Sequence, residues 1–217
     1  MRLPDSHSLN TFPARPRSCG VVNGNVWRSR PPYKPKLYTP KYNGWRVSLH
    51  VPTGRCFNRH NRPLSIEDEF GPAISYIQDR MSTLAEAGEA LEWLDCEGLE
   101  RRHGIGRGSL IVLDSYSCGE ASYEDRACVL TMAFSEHDIY KKPKANAVLT
   151  PVRFSRANAP GIDETLMSMN KEWGVEFYEG MVGVDIDSPY PRQMQSSSKV
   201  SPTWCKHRWE AQDVANN

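Results

Sequence analysis

The sequence predicts an α+β fold. Short runs of alternating or continuous apolar residues recur from Arg46 to Trp209, and three amphipathic helical patterns lie among them rather than between every pair. No internal repeat interrupts this order. A chain of 217 residues with 39% hydrophobic content can build one core, or one core with a small appendage.

Residues 1–35 are rich in Pro, Arg and Ser and read as an irregular basic arm, partly ordered around Val26-Trp27; residues 36–217 form the folded domain. A strand is predicted from about Arg46 to Val51. Pro52-Thr53-Gly54 turns the chain, and Arg55 to Arg59 returns as a second strand. Pro72 is placed as a first helical residue, with Ile74, Ile77 and Met81 on one face. The periodicity continues through Leu84, Ala87, Leu91 and Leu94, weakened by Gly88, while Trp93 to Glu97 reads as the start of a strand. Gly104, Gly106 and Gly108 have no strand–Gly–helix context for a phosphate loop and read as a flexible hairpin loop before the strand Ser109 to Asp114. Ser122 with Asp125 resembles a capping box that opens a helix through Val129, Met132 and Ala133. Ala147 to Phe154 reads as a strand. Ile162 to Trp173 reads as a helix with Leu166, Met169 and Trp173 on one face. Strands at Val175–Tyr178 and Met181–Val184, a Ser-rich loop and a strand at Trp204–Trp209 complete the chain.

The formal net charge is +1, so no bulk field attracts nucleic acid. Between Met1 and Lys36, however, Arg2, Arg15, Arg17, Arg28, Arg30, Lys34 and Lys36 face the single acid Asp5. Such a block is either a solvated face or a surface for phosphates. Cys19, Cys56, Cys96, Cys118, Cys128 and Cys205 include no C-x-x-C pair, and the histidines have no metal spacing, which argues against a zinc site. Several cysteines sit in apolar runs, as buried thiols do in a reducing compartment. With no apolar run long enough for a signal or a membrane span, the expectation is a soluble, cytoplasmic protein that engages no membrane.

The chain is organised around Lys41-Tyr42-Asn43-Gly44-Trp45-Arg46. A lysine amine is a weak nucleophile at neutral pH because its ordinary pKa is about 10.4. Neighbouring cations lower that value, and Lys36 and Arg46 are close in sequence. Gly44 permits a tight turn or a close approach to phosphate. Four further stretches follow in order: Phe57-Asn58-Arg59-His60-Asn61; Leu94-Asp95-Cys96-Glu97-Gly98 with Ile111-Val112-Leu113-Asp114; Glu179-Gly180-Met181-Val182; and Trp204-Cys205-Lys206-His207-Arg208.

Taken with Lys41, this order resembles the covalent nucleotidyltransferase superfamily of ATP-dependent DNA ligases, RNA ligases and mRNA capping enzymes. The family pattern is K-x-D-G-x-R, S-R-x-G, D-G-E with an F-D strand, E-G-x-V and W-x-K-x-K. Ser122 to Arg126, Asp187-Ser188-Pro189-Tyr190 and Arg46 favour the DNA ligase branch. The resemblance implies an antiparallel-sheet, ATP-grasp-like nucleotidyltransferase (adenylation) domain. Its lysine attacks the α-phosphate of ATP, releases pyrophosphate and keeps AMP as a phosphoramidate; AMP then passes to a nucleic-acid 5′-phosphate, and a 3′-hydroxyl displaces it. By the same resemblance Lys41 is the catalytic residue. Thr39, Arg46, Arg59, Glu97, Leu113, Glu179, Lys206 and Arg208 join Lys41 in binding the nucleotide. Glu97 and Glu179 would hold Mg2+ or the ribose, since hard cations prefer carboxylate oxygens. Lys206 and Arg208 would contact the α-phosphate, and alternation along a strand puts both on one face. Arg46 and Arg59 would reach ribose, AMP phosphate or nucleic-acid phosphate.

Departures from the pattern are informative. Asn43 stands where the family has Asp, Cys96 where it has Gly, and Leu113 where a Phe packs on adenine. No OB-fold is expected after the last motif, an element some RNA ligases also dispense with. The leading expectation is therefore a monomeric ATP-dependent ligase acting on nicked double-stranded nucleic acid, DNA favoured over RNA, with ATP and Mg2+ as cofactors. An RNA ligase and a catalytically impaired nucleic-acid-binding module are the alternatives. The Pro-rich arm, carrying Arg15, Arg17, Arg28, Arg30, Lys34, Lys36 and Trp27, is expected either to lie along the phosphate backbone or to pack on the core.

Overall fold

The computed structural model describes residues 15–18, 37–86, 91–99, 104–117, 120–190 and 201–209. Two sheets form its frame. The first has five strands in the order β1 (Pro16–Ser18), β12 (Ser201–Arg208), β11 (Tyr178–Val184), β2 (Leu37–Tyr42) and β10 (Phe154–Ser155). The second has seven, in the order β5 (Pro63–Leu64), β4 (Arg55–Phe57), β3 (Trp45–His50), β6 (Trp93–Gly98), β7 (Leu110–Ser115), β9 (Val148–Thr150) and β8 (Ser135–Glu136). Most neighbours are antiparallel. The exceptions lie toward the edges, where β1 runs parallel to β12, and β9 runs parallel to both β7 and β8.

Helix α1 (Glu67–Glu86) covers the seven-stranded sheet. Phe70, Ala73, Ile77 and Met81 from α1 are buried with Val47 and Leu49 of β3, Leu94 and Cys96 of β6, and Leu110 and Val112 of β7. Each such large side chain contributes roughly 1.5–3 kcal/mol. Helix α3 (Ala159–Trp173) supplies Ala159 and Leu166 to a second cluster with Tyr38, Tyr42, Phe177, Tyr178 and Met181 of the five-stranded side. Asn170 joins α3 to β11 as a strand partner would: its Nδ2 donates to the Tyr178 carbonyl at 2.7 Å, and its Oδ1 accepts from the Tyr178 N–H at 2.9 Å.

Helix α2 (Tyr123–Ala133) opens as the capping box predicts, with the Ser122 hydroxyl accepting from the Asp125 N–H at 3.1 Å. Its Arg126 is fully buried. It donates through Nε and Nη2 to both oxygens of Asp114 at 2.7 and 2.9 Å, and through Nη1 to the carbonyls of Ala121 and Ser188. One guanidinium thus ties α2, β7 and the segment after β11 together.

Several boundaries differ from the sequence reading. α1 begins at Glu67, so Pro72 lies inside it; Glu67, Asp68 and Glu69 suit the positive end of the helix dipole. Pro72 is tolerated because Asp68, whose carbonyl loses its donor, is exposed to water. The helix is described as far as Glu86, Ala87 and Gly88 lie outside the described residues, and Leu94 belongs to β6. Pro151 breaks the run 147–154 into β9 and β10, which sit in different sheets. The two strands expected at 175–184 are one, Tyr178–Val184. Pro16–Ser18, within the predicted arm, is an edge strand, whereas Val26, Trp27, Arg28, Arg30, Lys34 and Lys36 lie outside the described residues. Cys56, Cys96 and Cys205 are buried and Cys128 is exposed. No helix among the described residues is long and apolar enough to cross a membrane.

Candidate active site

A cavity of about 520 Å³ takes its walls from both sheets. Thr39 and Lys41 of β2, Glu179 of β11, and Lys206 and Arg208 of β12 line one wall; Arg46 of β3, Glu97 of β6 and Leu113 of β7 line the other. Arg59, exposed in the loop after β4, stands at the rim with its Nε on His60 Nε2 at 3.0 Å. The nine positions singled out in the sequence therefore border one space.

Strand register explains the first wall. Lys41 pairs with Gly180 and Gly180 with Arg208; Thr39 pairs with Val182 and Val182 with Lys206. Two rows thus cross β2, β11 and β12, and alternation sends their side chains to one face. Glu179 lies just outside the Gly180 row, at a bulge where β11 takes two steps from Tyr178 to Gly180 while β2 takes one from Tyr42 to Lys41. This bulge re-aims the Glu179 side chain toward the lysine, while the Glu179 carbonyl accepts from the Trp209 N–H at 3.0 Å. The amine of Lys41 donates to Glu179 Oε2 at 2.5 Å, and Arg208 Nε lies 3.3 Å from the same oxygen. Gly180 has φ 134°, and a Cβ there would meet the His207 carbonyl oxygen at 2.2 Å, so only glycine fits.

The turn after Lys41 is fixed as closely. A Cβ on Gly44 would lie 2.5 Å from the Gly98 carbonyl oxygen and 2.7 Å from Cγ of Glu97. Asn43 is buried; its Nδ2 donates to the Glu176 carbonyl at 2.8 Å, and its N–H to the Phe177 carbonyl at 2.9 Å. An ionised aspartate has no proton for the first of these bonds. The side chain that departs from the family pattern thus pins the lysine turn to the segment leading into the strand that carries Glu179.

On the second wall, Arg46 grips both carboxylate oxygens of Asp95 through Nε and Nη2. Asp95 is wholly buried and also accepts from the Tyr190 hydroxyl at 2.6 Å. Burial pulls the Arg46 guanidinium down, and Asp95 more than offsets it, so the cation is held above its ordinary value. Leu113 is a bulge residue too: β7 steps from Asp114 to Val112 while β6 steps from Asp95 to Cys96.

No protein-family model matches the sequence, and no curated protein matches it. Solved structures do match in fold. The structure named Pmar-Lig_Pre superposes with a TM-score of 0.53 at 16% identity, over 93% of this chain and 47% of its own. A structure from work on DNA binding with a minimal scaffold by Lig E DNA ligases gives 0.53 at 11% identity, over 91% of this chain and 68% of its own. An archaeal ATP-dependent RNA ligase, form 1, gives 0.51 at 13% identity, over 91% and 48%. The chain thus shares the fold of these ligase structures over most of its length. It spans about half the length of the first and third of these structures.

Within this fold the cavity is electrostatically divided. Burial pushes the Glu97 carboxyl up to about 7; Lys41 and Arg46 oppose the shift, and Glu179 and Asp95 add to it. Burial lowers Lys206 below the ordinary lysine value, and Lys41, Arg15 and Arg208 lower it further. Two features of the site escape the sequence reading: Asp95 holds Arg46, and Tyr190 bonds Asp95. Arg15, which the sequence places in the basic arm, lines the cavity. Asp95 stands two residues before Glu97, so its nearness to the site is a signal in the sequence; the Tyr190 contact joins residues 95 apart and is not.

Proposed function

We propose that this chain is the adenylation domain of an ATP-dependent polynucleotide ligase that seals nicks through a lysyl-AMP intermediate, with DNA favoured over RNA. The observation that carries the reading is the Lys41 amine held 2.5 Å from Glu179 Oε2, in a cavity shared with Glu97, Lys206 and Arg208. A nucleophilic amine needs a base for its proton, and Glu179 is in hydrogen-bond reach.

In this reading the Lys41 nitrogen forms a bond to the α-phosphorus of ATP. The bond to the bridging oxygen breaks, and pyrophosphate leaves with the electron pair. The amine proton goes to Glu179. A nucleic-acid 5′-phosphate oxygen then attacks the AMP phosphorus, the phosphorus–nitrogen bond breaks, and Lys41 leaves as the amine with the proton that Glu179 returns; a 3′-hydroxyl oxygen attacks the activated 5′-phosphorus, loses its proton to water and expels AMP. Lys206 and Arg208, two residues apart on β12, stabilise negative charge on the phosphate oxygens. Leu113 and the apolar cavity wall offer aliphatic contact to the base, and Thr39, Arg46 and Arg59 complete the nucleotide surface.

Glu97 and Glu179 are the residues that would hold Mg2+. They fit the ion: both are hard oxygen donors on one cavity, and Glu179 helps push Glu97 up, a repulsion that a divalent cation would relieve. Such an ion would supply charge neutralisation at phosphate.

The fold match to an archaeal RNA ligase supports the RNA alternative, and sealing assays on nicked duplex DNA and nicked RNA separate the two. Incubation with labelled ATP and magnesium tests the reading itself. It predicts an acid-labile AMP adduct on Lys41; a chain that stays unlabelled fits the impaired binding module instead.

A further inference from the structure

Arg15 precedes β1, the edge strand seated on β12 through Pro16 opposite Ser201, Arg17 opposite Cys205 and Ser18 opposite Lys206. Its carbonyl accepts from the Ser201 N–H at 2.6 Å, which anchors the backbone at the cavity wall. The residue is exposed, and it lines the same cavity as Lys41, Lys206 and Arg208. It is also one of the cations that lower Lys206. Like charges gathered on one wall repel unless an anion is shared among them.

The sheet order sets the spacing. Two strands, β12 and β11, separate β1 from β2, and Arg15 lies beside Ser201 whereas Lys41 shares its row with Arg208, so the two backbones are apart both across the sheet, by roughly 14 Å, and along it. Both side chains are long. Their heads can serve phosphates a few ångströms apart in a chain of phosphates, rather than one and the same phosphorus. A guanidinium offers forked donors suited to this.

We propose that Arg15 binds the phosphate tail of the nucleoside triphosphate, beyond the phosphate that Lys41 attacks. This rests on the reading of Lys41 as the nucleophile. It assigns to an edge strand from the N-terminal region a share of the nucleotide cavity, distinct from a run along nucleic-acid backbone.

The test uses the full chain and three probes: inorganic tripolyphosphate and AMP, each titrated by calorimetry, and a nicked duplex measured by salt-dependent binding. Arg15→Ala should weaken tripolyphosphate about tenfold, the loss expected of a charged hydrogen bond, and leave AMP unchanged. Arg15→Lys should recover part of the loss. Unchanged tripolyphosphate binding overturns the proposal, as does an equal loss for AMP, which would mark a general structural effect. A loss confined to the nicked duplex also overturns it and returns Arg15 to backbone contact. If the wild-type chain forms no lysyl-AMP yet loses tripolyphosphate with Arg15→Ala, the nucleophile reading fails and the anion site stands.

Discussion

Glu179 reaches the amine of Lys41 at 2.5 Å because a bulge in β11 sets it between the Tyr178–Tyr42 and Gly180–Lys41 pairs and a glycine follows it. Gly180 sits at φ 134°, with the His207 carbonyl oxygen 2.2 Å from where a Cβ would be. Gly180→Ala should therefore cost at least the roughly 1–3 kcal/mol of a strained backbone and reduce AMP labelling with it. Gly161, inside α3, has nothing within 4 Å of an added Cβ. Gly161→Ala should be neutral or stabilising by about 0.5–1 kcal/mol. Denaturant midpoints of the two variants measure the contrast.

Asn43→Asp restores the family residue but removes the donor to the Glu176 carbonyl. The expected cost is about 1–3 kcal/mol in unfolding free energy, with no gain in the rate of lysine labelling. A variant that is both as stable and faster would show that a carboxylate, and not the pinned turn, is what Lys41 needs.

Glu97 gives a pH signature. Its carboxyl is raised from 4.5 to about 7, chiefly by burial, so the folded chain holds a proton there that the unfolded chain releases earlier. The resulting stability is present below about pH 4.5 and is lost as pH rises through about 7. Magnesium binding needs the ionised form, so magnesium-dependent labelling should rise with pH across this window. Glu97→Gln should flatten the rise and lower the rate, which labelling rates from pH 6 to pH 8.5 at fixed magnesium would read.

The Arg126–Asp114 pair holds α2, β7 and the segment at Ser188 together, with both side chains fully buried. Arg126→Met leaves a buried carboxylate without its cation and should destabilise by about 3–5 kcal/mol in urea unfolding.

The elements legible in the sequence are those with local causes. α2 follows from the hydroxyl and carboxylate of its capping box, and α3 from the spacing of Leu166, Met169 and Trp173. The pairing of Lys206 with Arg208 on one strand face follows from alternation alone. What the sequence hides is set by tertiary contact. The bulges that aim Glu179 and Leu113 are register events between strands distant in sequence. The grip of Asp95 on Arg46, the bond from Tyr190 to Asp95, and the seating of Pro16–Ser18 on β12 join residues that no window contains together. Pro72 misleads because a helix tolerates it where the orphaned carbonyl meets water, and Pro151 divides a run that apolar content alone joins.

The central claim is that Lys41 is the nucleophile, and the intact mass of the chain after incubation with ATP and magnesium tests it most directly. The wild-type chain should gain one AMP in an acid-labile bond. Lys41→Ala should gain none, and neither should Lys41→Arg, whose guanidinium stays protonated. An adduct that persists in Lys41→Ala would contradict the account.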